Sequence, residues 1–298
     1  MKAIIFGATG QDGYYLSRLL AQHEVTAIGI ARSGSTINGS VADRQFVNAL
    51  VKEHNPSYIF HLAANSTTRY DVLFENHETI STGTFNILDA VKTYNPEIKV
   101  FLSGSGLQFL NTGQPINEET PFDAPNPYSV SRIQSAYAAR FYRKLNLKVY
   151  MGYFFNHESP RRTERHISKM IAESVKRIAL NKDEIISIGD LATRKEWTFA
   201  GDVVNAIWLL INQDNIYEAV IGCGQTYSIK DWLKACFDLI GKNWQDYVEE
   251  KKDFKAEYDI LVSDPSLIKS LGWQPELSLE KLARLMIMDN HNEENDRQ

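Results

Sequence analysis

Lys2–Phe6 is a short apolar run that glycine ends, the pattern of a parallel strand buried on both faces. Leu16, Leu19 and Leu20 follow at helical spacing and predict a helix over 14–23. Apolar residues return at 25–30 as a second strand, helical spacing at Arg44–His54, and a third strand at 58–62. The alternation continues with a helix over 77–94, a strand at 100–103, a helix over 129–145 and a strand at 148–155. Strands alternating with helices imply the α/β class and a doubly wound parallel sheet joined by right-handed crossovers.

Past Asn156 the rhythm breaks. Helices are predicted over 166–180, 202–213 and Leu279–Met288, a short strand over 184–188, and short mixed elements between them. Such a region suits a smaller mixed α/β cap on the open end of the sheet. The predicted division is 1–156 for the large domain and 157–290 for the cap, with chain crossings back to the large domain. Residues 291–298 form a polar tail, and the chain from 289 onward has no aromatic residue.

Composition narrows this picture. At 298 residues the chain can bury a large core, and its 43% apolar and 23% charged residues belong to an ordinary globular protein. A net charge of −5 argues against a polyanion surface, and the aromatics lack the basic interleaving of a nucleic-acid binder. No apolar run reaches the roughly 18 residues that span a bilayer, and the start enters a strand directly, without room for a signal peptide. The expectation is a cytoplasmic protein with neither a membrane nor a nucleic-acid partner. Cys223 and Cys236, thirteen apart without a CxxC partner, read as reduced thiols. His54, His77 and His166 lack carboxylates at ligand spacing, so no metal is expected, and His61 reads as a packing residue.

Candidate chemistry begins at the first turn. Gly7, Gly10 and Gly13 fall at spacing three and three between the first strand and first helix. One glycine permits the turn, one lets a pyrophosphate approach the backbone, and one allows close helix–strand packing. The second strand ends Ile30-Ala31-Arg32-Ser33 with no acid to hold ribose hydroxyls. That favours NADP over NAD, with Arg32 clamping a 2′-phosphate and Ser33 as a second donor. Further on, Asn156 ends a strand at the carboxyl edge of the sheet, and the guanidinium forks of Arg161 and Arg162 suit a diphosphate.

Several stretches together carry a resemblance. Gly7-Ala8-Thr9-Gly10-Gln11-Asp12-Gly13 contains an uncommon Gln-Asp pair. Phe155-Asn156-His157-Glu158-Ser159-Pro160-Arg161-Arg162 is the second specific motif. Gly189-Asp190-Leu191, Arg194-Lys195-Glu196-Trp197 and Asp202-Val203 form a later segment. Over nearly its whole length the chain resembles the extended short-chain dehydrogenase/reductases, and among them the GDP-mannose 4,6-dehydratases. The resemblance implies a Rossmann-type large domain with a sugar-nucleotide cap. It implies cofactor contacts from Gly7, Thr9, Gly10, Gln11, Asp12 and Gly13, from Leu62, Ala63 and Ala64, and from Tyr128 and Arg132. Substrate contacts are implied for Asn156, Glu158, Ser159, Arg161 and Arg162, and for Lys169, Arg194 and Lys195. The nucleotide-diphosphate sugar would be a GDP-hexose, a base preference that follows from the likeness alone. The helix around 76–91 resembles the one by which such enzymes pair, implying a homodimer or a higher homo-oligomer.

The catalytic implications come with departures. The family pairs a proton-transferring Tyr with a Lys four residues later; in Asn126-Pro127-Tyr128-Ser129-Val130-Ser131-Arg132 the Tyr stands and the partner is Arg132. A phenol ionises far above neutral pH, so a nearby cation is needed, and arginine supplies the charge in a larger, planar form. Ser105 falls on the family's catalytic Thr and can make its hydrogen bond. Leu107 falls on the Glu that removes the C5 proton and assists loss of the C6 hydroxyl, which leucine cannot do. Ser40, Lys195 and Phe254-Lys255 replace other expected contacts. The reading is NADP-dependent redox at sugar C4, as a 4-keto-reductase or epimerase, through Ser105, Tyr128 and Arg132. A true 4,6-dehydratase with a relocated acid, and a cofactor-binding protein without turnover, stay open as alternatives.

Overall fold

The computed structural model describes residues 1–288. The predicted tail, 291–298, lies outside the described residues. β1 (Lys2–Phe6) runs into α1 (Gln11–Gln22), whose N-cap is Gly10 and which therefore starts earlier than its leucines suggest. Leu16 and Leu20 face the sheet, whereas the first turn is polar and gives no apolar signal. β2 (Thr26–Ala31) is followed by β3 (Ile37–Asn38), an edge strand too short to read from alternation. Asp43 caps α2 (Arg44–His54) by accepting from Gln45 N at 2.9 Å and Phe46 N at 3.1 Å. After β4 (Tyr58–His61), the expected single helix is α3 (Leu73–Asn76), a π turn at His77–Thr82 and α4 (Gly83–Tyr94) in succession. β5 (Lys99–Ser105), α5 (Pro127–Arg143) and β6 (Val149–Phe154) complete this half.

The second half holds β7 (His157–Glu158), α6 (Ile167–Ala179), β8 (Ile186–Ile188), β9 (Arg194–Glu196) and β10 (Thr198–Phe199). α7 (Ala200–Ile211) and β11 (Glu218–Ile221) then cross back to the large sheet. β12 (Thr226–Ser228), α8 (Ile229–Asp238), β13 (Val248–Glu250), β14 (Ile260–Leu261), α9 (Ser266–Ser270) and α10 (Leu279–Met288) follow. The large sheet is parallel throughout, in the order β11-β6-β5-β4-β1-β2-β3. Strand order reverses between β1 and β4, which is where doubly wound sheets open a crevice.

Both faces are covered. Ile4, Ile59 and Val100 pack with Val47 of α2, Leu88 of α4 and Ala139 of α5. Ile5, Phe60 and Phe101 pack with Leu16 and Leu20 of α1 and with Ile207 and Leu210 of α7. A third cluster, including Val175 of α6, Trp232 of α8 and Leu282 of α10, lies apart from the large sheet, and there Trp197 and Trp232 stack at 4.6 Å. Each of the buried Val, Leu, Ile and Phe side chains among these contributes about 1.5–3 kcal/mol of transfer free energy.

One polar cluster fixes α5 to the sheet edge. Glu218, on β11, accepts from Arg140 Nε at 3.0 Å and Nη2 at 2.7 Å, from the Tyr153 hydroxyl at 2.6 Å, and from Arg143. Burial opposes charge on Glu218, but these donors outweigh it and bring its carboxyl down to about 2.

Candidate active site

The carboxyl ends of β1, β4, β5 and β6 and the first turns of α1 and α5 surround one cleft of about 450 Å³. Gly7 turns the chain at φ +91°, and a Cβ there would lie 2.7 Å from Ala63 N. A Cβ on Gly13 would lie 2.4 Å from the Gly7 carbonyl oxygen. The turn is thus closed to any side chain at two points, and α1 presents the unpaired N–H groups of its first turn beyond it. Thr9, Leu62 and Ala64 line the cleft, and Ala63 borders a neighbouring hollow of about 200 Å³ beside Arg32 and Ser40. Arg32 pairs with Glu75 at 2.9 Å while three-quarters of its side chain is in solvent. Ser33, exposed, lines neither hollow.

Across the cleft, Asn126 caps α5 by accepting from Ser129 N at 2.9 Å, with Pro127 at the first helical position. That start carries Tyr128 to the cleft wall. Ser105, the last residue of β5, accepts from Leu107 N at 3.2 Å, and its own N–H donates to Gln108 Oε1 at 2.9 Å. Ser129 Oγ donates to the Leu107 carbonyl at 2.7 Å, tying residue 107 to the first turn of α5. Leu107 lines the cleft beside Ser105 and Tyr128.

Arg132 is 4% exposed, and its guanidinium carbon lies 5.0 Å from the centroid of the Tyr128 ring. Nη1 donates to Ser103 Oγ at 2.9 Å and to the Ser103 carbonyl, while Nε is buried without a partner. Ser103 in turn donates to the His61 carbonyl at 3.0 Å. Ser103 escaped the sequence reading although a signal was present: it shares a strand face with Ser105, two residues away.

The two specific motifs meet one another. Gln11 Nε2 donates to the His157 carbonyl at 3.1 Å, and Ser159 Oγ donates to Gln11 Oε1 at 2.9 Å. His157 Nε2 lies 2.9 Å from Asp12 Oδ1, and its Nδ1 lies 2.8 Å from the Phe155 carbonyl oxygen. Burial opposes the charge of both partners, yet each holds the other ionised, with Asp12 below and His157 above its ordinary value. Spacing gave no sign of this contact, since the partners stand 145 residues apart.

Asn156, Arg161 and Arg162 line the cleft, and the buried Oδ1 of Asn156 has no partner. Arg161 stacks on Tyr14 at 3.8 Å, and Arg162 Nε donates to Glu158 Oε2 at 3.2 Å. The other expected substrate contacts do not line the cleft. Glu158 and Ser159 are buried beneath it. Burial disfavours the Glu158 charge, but Arg162 and Lys195 outweigh it and lower its carboxyl. Lys195, buried, lies 4.9 Å from the Trp197 ring. Lys169 pairs with Glu173 at 2.6 Å, and Arg194 donates to the Thr226 carbonyl at 2.7 Å. His166 lines the cleft and was not singled out for it; burial and the Arg162 charge bring it to about 4, so its imidazole is neutral. Among the described residues no three His, Cys, Asp or Glu side chains gather as a metal site, and no helix is long and apolar enough to cross a membrane.

A parallel sheet with this glycine turn, a serine at the end of β5 and a tyrosine at the start of α5 defines an extended short-chain dehydrogenase/reductase. Comparison with known proteins narrows the class. The family model for GDP-mannose 4,6 dehydratase matches residues 4–286. GDP-mannose 4,6 dehydratase 1 of Arabidopsis thaliana is 30% identical over 96% of this chain and 88% of its own length. The chain belongs to the GDP-mannose 4,6-dehydratase family. Its fold is also that of the dTDP-glucose 4,6-dehydratase of Bacillus anthracis, solved with NAD, at a TM-score of 0.84 and 19% identity over 97% of this chain and 96% of that one. RMD from Pseudomonas aeruginosa, solved with NADPH, superposes equally well, at 0.84 and 19% over 97% and 96%.

Proposed function

We propose that the protein performs NADP-dependent redox at C4 of a GDP-linked hexose, as a 4-keto-reductase or epimerase. The observation that carries this reading is the side chain at 107. A 4,6-dehydration needs a group to remove the C5 proton and assist departure of the C6 hydroxyl. Leu107, which falls on the family's Glu, lines the cleft, and the only carboxylate among the lining residues, Asp12, is bound to His157. Redox at C4 needs no such carboxylate.

The remaining groups fit that simpler task. The glycine turn, closed to side chains, fits a dinucleotide pyrophosphate, and Arg32 beside the second hollow suits a 2′-phosphate. A bound nicotinamide dinucleotide would supply or accept the hydride at C4. Tyr128 gives a proton to the C4 oxygen during reduction and takes it back in the reverse direction. Ser105 already accepts from Leu107 N, which leaves its hydroxyl hydrogen to bond the C4 oxygen. Arg161, Arg162 and the free Oδ1 of Asn156 face the sugar-nucleotide end of the cleft. The base, guanine, is inferred from the family.

The protein also pairs with a second copy of itself. A groove of about 470 Å³ runs between the π turn and α5, lined by His77, Phe85, Ile133, Tyr137 and Phe141. Tyr137 and Phe141 are more than half exposed, an apolar face that water disfavours.

Two incubations test the reaction. With a GDP-4-keto-6-deoxyhexose and NADPH, absorbance of the reduced nicotinamide should fall as the 4-hydroxy sugar forms. With GDP-mannose and NADP, no 4-keto-6-deoxy product should accumulate. A 4-keto-6-deoxy product in the second tube establishes dehydration instead; no NADPH consumption in the first overturns the reductase reading.

A further inference from the structure

Asp12 poses an electrostatic problem for a dinucleotide site. It stands in the first turn of α1, where a carboxylate complements the helix dipole and steadies the free protein. The same N-terminus would receive a pyrophosphate, and Asp12 lines the same cleft as Gly7, Gly10 and Gly13. A second anion would meet the first. His157 stands against Asp12 with both ring nitrogens facing acceptors: the Phe155 carbonyl at 2.8 Å and the carboxylate at 2.9 Å. A carbonyl can only accept, and so can an ionised carboxylate, so both nitrogens carry hydrogens. The edge contact with the Phe154 ring, at 5.4 Å, holds the imidazole plane, and Gln11 grips the His157 backbone.

We infer that His157 is a fixed imidazolium that cancels the charge of Asp12 beneath the glycine turn, and so is a positioning residue for the cofactor pyrophosphate. This rests on the dinucleotide reading proposed above. Other charges act on the pair as well: Arg162 and Arg132 favour the Asp12 carboxylate, Arg162 opposes charge on His157, and buried Glu158, next along the chain, favours it; the close contact with Asp12 outweighs the opposition. Without His157, the carboxylate would face the pyrophosphate with its charge less compensated, and like charges repel.

The test is a charge-removal cycle in the full-length protein. Calorimetric titration with NADPH is run on the unaltered protein, on His157→Gln and on His157→Gln/Asp12→Asn. The single variant should bind about tenfold more weakly, and the double variant should regain most of that loss. If the double variant binds no better than the single one, His157 acts only by shape and the inference fails. If the unaltered protein binds neither NADPH nor NADH, the dinucleotide reading itself fails, a distinguishable result. Nitrogen-15 spectra of the cofactor-free protein at pH 7.5 give a second measurement that needs no variant. Two protonated ring nitrogens on His157 are expected, and a neutral tautomer overturns the inference.

Discussion

Arg132 lies over the ring of Tyr128, 5.0 Å from its centroid, while its fork is held by Ser103. The cation therefore faces the aromatic plane, and Nη1 is occupied by β5. A lysine at this place has no fork to share and a compact charge that turns more freely into the cleft. Arg132→Lys should therefore raise single-turnover hydride transfer about tenfold, a fraction of the hundredfold or more that a well-placed proton-transfer group contributes. A fall in rate would show that the guanidinium is fitted to this protein's substrate. Tyr128→Phe should lower the same rate about a hundredfold or more.

Position 107 offers the reverse experiment. Its backbone is pinned to α5 by Ser129, so Leu107→Glu introduces a carboxylate at a defined point on the cleft wall. The variant should gain slow exchange of the sugar C5 hydrogen with deuterated water, read by mass spectrometry. The unaltered protein should show none.

The proposed preference for NADP rests on Arg32, whose ion pair with Glu75 is exposed and correspondingly weak. A 2′-phosphate competes well for such a guanidinium. Arg32→Ser should weaken NADPH binding about tenfold, as expected for one charge-assisted contact, and leave NADH nearly unchanged. Equal loss for both cofactors would remove Arg32 from the clamp.

Acid stability should respond to His61. Burial, with the Arg132 charge, lowers its imidazole to about 4, and its Nε2 donates to the Thr79 carbonyl. A histidine depressed in the folded state is protonated first in the unfolded chain. Its stabilising contribution is complete above about pH 6.5 and falls as pH drops toward 4, by on the order of 3 kcal/mol. His157, raised when folded, has the opposite sign and loses its contribution as pH climbs. Thermal melts should show His61→Gln less sensitive to pH between 6.5 and 4 than the unaltered protein.

The apolar groove predicts its own mutant. Tyr137→Glu and Phe141→Glu change exposed side chains on α5 without opening the core. Each should convert a dimer into a monomer by sedimentation velocity. A monomeric unaltered protein would discard the pairing proposal.

Apolar runs alternating with helical spacing were enough to read the parallel sheet, because buried strands and two-sided helices repeat a strong local pattern. Ile37–Asn38 escaped because two residues make no pattern, and the π turn at His77–Thr82 because it keeps the helix's apolar face. At the cleft, Gly7 and Gly13 were legible, since their steric demand is local. The contacts of Gln11 and Asp12 with Ser159 and His157 were not, because long-range pairing leaves no mark on spacing. Lys169 and Arg194, expected at the substrate, meet Glu173 and Thr226, and nothing in their own segments distinguishes the two uses.

The clamp on Glu218 gives order of synthesis a role. Ser105, Tyr128 and Arg132 all lie within the first 156 residues, but the strand that anchors the far end of their helix follows later in the chain. A nascent chain carries the residues proposed for proton transfer before it has made the strand that holds the far end of α5. A fragment ending at Asn156 would therefore contain Ser105, Tyr128 and Arg132 and lack the edge strand that clamps α5.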